Sequence, residues 1–213
     1  MLWIITGVIT SYLIGSIPTA YLFGRLLKGI DIRKFGSGNI GATNALRVLG
    51  KGPGITVLLL DILKGFVTVV FVGNYLAPHV TIPGATLRII LGVCCICGHN
   101  WTVFLNFKGG KGVATTLGVL LGFSAAISCL KPIFLLMILT WLAVFLIFRI
   151  VSLASIVTGI ALPAYLYIFT RSMALICFGF LLCIFIILRH KSNIKRLLKG
   201  EEPKLSFKKP KSA

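Results

Sequence analysis

Seven long apolar runs divide the chain, at about residues 2–27, 55–76, 86–107, 113–130, 133–150, 151–170 and 172–188. A helix crosses the hydrocarbon of a bilayer with about 20 mostly apolar residues, and each run meets or approaches that length. The pattern predicts an all-α, polytopic membrane helical bundle of about seven transmembrane helices. A partly re-entrant third run, and a fifth-to-sixth join marked only by the charge of Arg149, leave six spans as the alternative count.

Composition agrees with this pattern. Hydrophobic residues make up 57% of the 213 and charged residues only 12%, about half the share expected of a soluble domain. No stretch between the runs is long enough for a second core. The expectation is one membrane-embedded domain over residues 1–203 and a basic tail over 204–213.

Charge then orients the bundle. The net charge is +18, from 22 Lys+Arg against 4 Asp+Glu. Arg25, Lys28, Arg33, Lys34, Arg47, Lys51, Lys108, Lys111, Arg149 and the cations from Arg189 onward fall on one side. Arg88, Lys131 and Arg171 fall on the other, and Lys64 lies inside a span. Cytoplasmic loops carry the excess of Lys and Arg, so the amino terminus is expected outside and the carboxyl terminus in the cytoplasm. Attraction to anionic membrane lipids accounts for part of the excess. A nucleic-acid partner is not expected, because the basic residues have no soluble face on which to gather.

Polar residues cluster in three islands on the basic side. The first runs from Gly36 through Ser37, Gly38, Asn39 and Gly41 to Asn44, with Arg47 a turn further on. Closely spaced glycines let a backbone approach a ligand and aim several N–H groups at one anion. Asn44 is expected to cap a following short helix, and Arg47 offers a forked donor for phosphate oxygens. The second island holds His99 and then Lys108, Gly109, Gly110, Lys111 and Gly112, directly before an apolar helical run that contains Thr115. Glycine amides, a helix amino end and lysine charge together make a phosphate cradle. It is not a Walker loop, since the spacing is wrong and Val113 stands where Ser or Thr is required. The third island places His190 and Asn193 at helical spacing where the last span leaves the membrane.

Each island has a plainer reading: a flexible glycine loop, lysines that fix topology, and a cationic tail on lipid. His99 alone reads as a packed helix residue. Asp61 and Lys64, three apart inside the second span, read as a structural ion pair. The cysteines Cys94, Cys95, Cys97, Cys129, Cys177 and Cys183 read as inert thiols. Four carboxylates and three scattered histidines give no metal site and no paired-carboxylate acid and base, so no metal and no cofactor is expected.

Cations and amides stabilise phosphate ligands and negative charge developing on oxygen. They suit acyl transfer from a mixed anhydride whose leaving group is phosphate, because such a donor is already activated. Over nearly the whole chain, the sequence resembles the bacterial acyl-phosphate-dependent glycerol-3-phosphate acyltransferases (PlsY-type). The matching stretches are Gly15-Ser16-Ile17-Pro18-Thr19-Ala20-Tyr21, the island from Ser37 to Asn44 with Arg47, Gly98-His99 through Thr115, and His190 through Asn193, Ile194, Arg196, Leu197 and Gly200 to Glu202.

The resemblance implies a seven-span enzyme of the bacterial cytoplasmic membrane with its site facing the cytoplasm. Glycerol 3-phosphate and acyl phosphate would be its substrates, and protein partners stay open. Carried over by position, Ser37, Asn39, Asn44 and Arg47 form the polyol-phosphate site. Lys108, Gly109, Gly110, Lys111 and Gly112, with Thr115, cradle the acyl phosphate, and His190 with Asn193 completes the phosphate contacts. Lys111, His190 and Asn193 are the expected catalytic residues. The base is either His190 or an oxygen of the donor phosphate. Transporter and lipid-phosphotransferase readings lack internal repeats and metal-binding carboxylates, respectively.

Overall fold

The computed structural model describes residues 1–205, and every element in it is helical. The first apolar run forms two helices, α1 (Leu2–Ser16) and α2 (Thr19–Lys28). Pro18 separates them: it has no N–H to continue the ladder, so the last carbonyls of α1 are left for side-chain donors. A short helix, α3 (Ala42–Val48), precedes the second rod. That rod is α4 (Lys51–Val67), a wide π turn over Thr68–Val72, and α5 (Gly73–Leu76). Then follow α6 (Gly84–Asn100), α7 (Val113–Ala126), α8 (Lys131–Phe148), α9 (Val151–Phe169), α10 (Met173–Arg189) and α11 (Lys191–Leu198). The part of the expected tail beyond Leu205 lies outside the described residues.

Each apolar run thus became its own rod, and α8 ends at Arg149, whose left-handed backbone closes the helix. Five rods are long and apolar enough to cross a membrane, and the bent pair α10 and α11 adds a sixth. The fourth run corrects the expectation. It was drawn to residue 130, but α7 stops at Ala126 after 14 residues, about 21 Å of helix against about 30 Å of hydrocarbon. The glycine segment before it is irregular and only partly covered: Gly110 and Gly112 are buried, Gly109 and Lys111 half-buried and Lys108 exposed.

Small residues let the rods approach closely. The backbone of α6 at Cys95 lies where a Cβ on Gly15 would be, and Gly118 of α7 meets the carbonyl of Ile62 on α4 in the same way. Without a hydrophobic driving force between helices in lipid, such backbone contact is a main source of association. A second layer forms where α7 to α10 interdigitate around Val119, Phe123, Met137, Leu162, Leu166, Phe178 and Leu182. Large apolar side chains such as Leu59, Leu139, Leu146, Ile160 and Phe180 face outward, as a lipid-facing surface requires.

Candidate active site

The three polar islands meet at one end of the bundle. Ser37, Gly38 and Asn39, Lys111, and Arg189, Lys191, Ser192 and Arg196 line a single open cleft of about 340 Å³.

One wall is the loop of residues 36–41. Gly36 and Gly38 adopt left-handed backbone, which admits a turn that L side chains rarely make. Asn44 holds this turn. Its Oδ1 accepts the N–H of Ser37 at 2.8 Å, and its Nδ2 donates to the carbonyls of Phe35 and Ile32. The expectation that Asn44 caps α3 is therefore wrong. Gly41 is the cap residue, and Asn44 sits inside the first turn, 1% exposed. Its side chain is spent on the loop and out of reach of a ligand. Below the loop, Asp31 caps a short turn and pairs with Arg33 at 2.7 Å. The Arg33 hydrogen bond, opposed by desolvation, pulls the Asp31 carboxyl down to about 2. Arg47 is exposed on α3, close enough for its charge to bear on Lys111.

The second wall is the cradle. Thr102 donates to the carbonyl of Ser16 at 2.6 Å, using a carbonyl that the break before Pro18 left free. Asn106 and Phe107 then turn the chain back through left-handed conformations, each costing about 1–3 kcal/mol. The Gly110 N–H donates to the carbonyl of His99 at 2.9 Å. Gly112, with φ of 75°, opens α7. Arg189 grips the outer side: Nε and Nη2 donate to the carbonyl of Gly110, and Nη2 also donates to that of Gly109, at 2.7–2.9 Å. Its guanidinium stacks 5.6 Å over the Trp101 ring. Arg189 had been read only as a topology marker. The signal that could have raised it is its place beside His190, at the mouth of a polar island.

The third wall turns by 64° between α10 and α11. Asn193 stands on α11 and ties the walls together, its Oδ1 accepting from Lys111 Nζ while its Nδ2 donates to Glu202. Glu202 also accepts from Ser152 at 2.6 Å and Arg196 at 2.7 Å. Burial opposes ionisation of Glu202, but these three donors outweigh it and hold the carboxyl below its usual range. Glu202, seen in sequence only as the end of a motif, is the one carboxylate in this network.

Other expected site residues fall elsewhere. Thr115 is fully buried against α4, its Oγ1 without a partner, so it lies beneath the cradle instead of in the cleft. Lys108 is exposed at the rim. His190 is 2% exposed, and its Nδ1 contacts the carbonyl of Ile186 at 2.8 Å. Burial, aided by the charge on Lys111, pushes its imidazole down to about 4. It is therefore neutral at pH 7 and a weak proton acceptor. Burial likewise lowers Lys111 to about 8, against the opposing pull of Glu202 and with the help of Arg196, Arg47 and Arg189.

The cleft thus presents Lys111, Arg189, Lys191 and Arg196 with one carboxylate among them. Such a surplus of cations binds more than one anionic group and stabilises charge developing on oxygen.

The family model described as glycerol-3-phosphate acyltransferase matches residues 5–200. A glycerol-3-phosphate acyltransferase of Gloeobacter violaceus is 46% identical over 195 residues, covering 92% of this chain and 91% of that protein. Glycerol-3-phosphate acyltransferase 2 of Moorella thermoacetica is 45% identical over 205 residues, covering 96% and 98%. Among solved structures, PlsY, an integral membrane glycerol 3-phosphate acyltransferase in its glycerol 3-phosphate form, superposes with a TM-score of 0.82 at 38% identity. That match covers 95% of this chain and 96% of the other. The lysophosphatidic acid form of PlsY superposes with a TM-score of 0.79.

Proposed function

The chain belongs to the glycerol-3-phosphate acyltransferase family, and we propose that it draws its acyl group from acyl phosphate and delivers it to the sn-1 hydroxyl of glycerol 3-phosphate. The products are lysophosphatidate and inorganic phosphate. The cleft faces the cytoplasm of a bacterial inner membrane, the amino terminus lies outside, and the seven rods all cross, with α7 completed by the cradle. The domain ends near residue 203.

One observation carries the choice of donor: four cations converge on a cleft where only Glu202 offsets them. A thioester leaves as a thiol and carries any phosphates far from the reacting carbonyl, whereas acyl phosphate places its charge on the leaving group itself, where clustered cations act on it. Ser37, Asn39 and Arg47 take the polyol phosphate, while Lys111 and the amides of residues 109–112 take the acyl phosphate.

The hydroxyl attacks the acyl carbonyl, the C–O bond to phosphate breaks, and the new ester C–O bond forms. Lys111 and the loop amides stabilise the departing phosphate. The hydroxyl proton passes to an oxygen of that phosphate, because a buried imidazole held near 4 is a poor acceptor. Asn193 orients Lys111 and so acts on the donor through it.

The test is direct. Purified protein in detergent, given acyl phosphate and labelled glycerol 3-phosphate, forms lysophosphatidate and phosphate one for one without ATP, metal or thioester. Faster turnover with acyl-CoA than with acyl phosphate refutes the donor assignment.

A further inference from the structure

A column of side chains runs from the bundle interior to the underside of the cradle, and the reaction as described uses none of it. At its base, Asp61 Oδ1 accepts from Thr19 at 2.5 Å and from Lys64 at 2.7 Å. Lys64 also donates to the carbonyl of Ile17, which the Thr19 N–H shares. Above Asp61 lies His99, its Nδ1 3.8 Å from the same carboxylate oxygen. The opposite edge of the His99 ring, Nε2, occupies the space a Cβ at position 110 would need, and a Cβ at 109 would collide with the backbone of His99 and Asn100. Gly110 also donates its N–H to the His99 carbonyl, while its own carbonyl is held from the far side by Arg189.

We infer that His99, seated beside Asp61, is a positioning residue of the acyltransferase: its ring is the floor that fixes the height and tilt of the peptides at Gly109 and Gly110, and hence the direction in which Lys111 leaves the loop. His99 is 7% exposed and lines no part of the cleft, so it touches no substrate. It acts through Gly110.

The geometry explains three features together. Residue 110 is glycine because an imidazole fills the place of its side chain. The ring is seated between the loop and a carboxylate, 3.8 Å from its other edge, that is itself held by α2 and α4. The loop cannot rise, because Arg189 closes on Gly110 from above. Misplacing a reacting group by about 1 Å costs about a hundredfold in rate, so a floor of this kind matters to catalysis without taking part in it. A histidine that merely fills the core has no reason to act on substrate affinity.

This inference rests on the cradle as a phosphate site, and the experiment separates the two. KM for each substrate and kcat are measured on detergent-solubilised wild type, His99→Ala, His99→Gln, Gly110→Ala and the double variant Gly110→Ala/His99→Ala. Thermal unfolding of each variant is followed alongside. Gly110→Ala loses about a hundredfold in kcat/KM, and removing the ring restores part of that loss in the double variant. His99→Ala raises the acyl-phosphate KM about tenfold, at the lower end of such misplacement effects, and His99→Gln recovers part of it. If the KM for glycerol 3-phosphate rises instead, His99 still positions the cradle and the donor placement fails. A double variant no better than Gly110→Ala, or a His99→Ala protein with both KM values unchanged, overturns the inference. The single His99 variants decide the matter if Gly110→Ala does not fold.

Discussion

Two polar clusters share one end of the bundle and are built on opposite plans. The lower one, Thr19, Asp61 and Lys64 with His99 beside them, is closed. Its one carboxylate and one ammonium face each other, and the ammonium's remaining donors find Thr19 and the backbone carbonyl of Ile17. The upper one is open, with Lys111, Arg189, Lys191 and Arg196 against Glu202 alone. Burying a charge is costly unless it is paired. A closed pair meets that cost within the protein, whereas an open surplus is relieved when anions arrive. The first plan stabilises the bundle, and the second creates a demand for anions.

The sharpest way to break this contrast is to open the closed cluster. Removing one partner of a buried pair leaves the other charge stranded, so Asp61→Ala or Lys64→Ala costs about 3–5 kcal/mol, measured by thermal unfolding in detergent. Replacing both by apolar residues of similar volume costs less than either alone. A double variant whose loss equals the sum of the two single losses would show that the two residues are not coupled.

Next is the open cluster. Lys111→Ala lowers kcat/KM by about 10²–10³ while leaving the unfolding temperature nearly unchanged. A comparable loss of stability would erase the distinction between the clusters.

Glu202 belongs to both plans, since it anchors the tail and orients Asn193. Hydrogen bonds to charged groups contribute about 1.5–3 kcal/mol, and Glu202→Gln is expected to lose an amount in that range. The change is read as earlier unfolding together with a raised donor KM.

A smaller effect appears with pH. Lys111 needs its proton to hold phosphate, and with its value near 8 the cation is lost as pH rises through that point. Donor KM therefore climbs above pH 8, and Lys111→Arg, which stays charged, flattens that rise. A wild-type KM constant to pH 10 contradicts the assignment. The smallest effect tests the rim: Lys108→Ala changes binding energy by no more than about 0.5 kcal/mol, as an exposed lysine outside both clusters should.

Much of the fold could be read along the chain. The all-helical architecture with five or six rods long enough to cross a membrane, the break at Arg149, the start of α7 after Gly112 and the Asp61–Lys64 pair agree with the sequence pattern, while the fourth run came out shorter than drawn. The site was legible as three islands, but the duties within them were not. Asn44 and Thr115 carried the right chemistry for ligand contact, yet packing turned both inward. Arg189 looked like any basic residue at a span end. Only its bonds to Gly109 and Gly110 reveal a clamp, and those partners lie 80 and 79 positions away.

The sequence by itself determined which segments leave water, because transfer free energy is a sum over local residues and needs no knowledge of neighbours. It also determined that glycines, lysines and arginines gather in the polar islands between them. Tertiary structure alone decided which polar atoms are spent and which remain free. Lys111 meets Asn193 across 82 residues, and hydrogen bonds, being short and directional, exist only where packing brings donor and acceptor together.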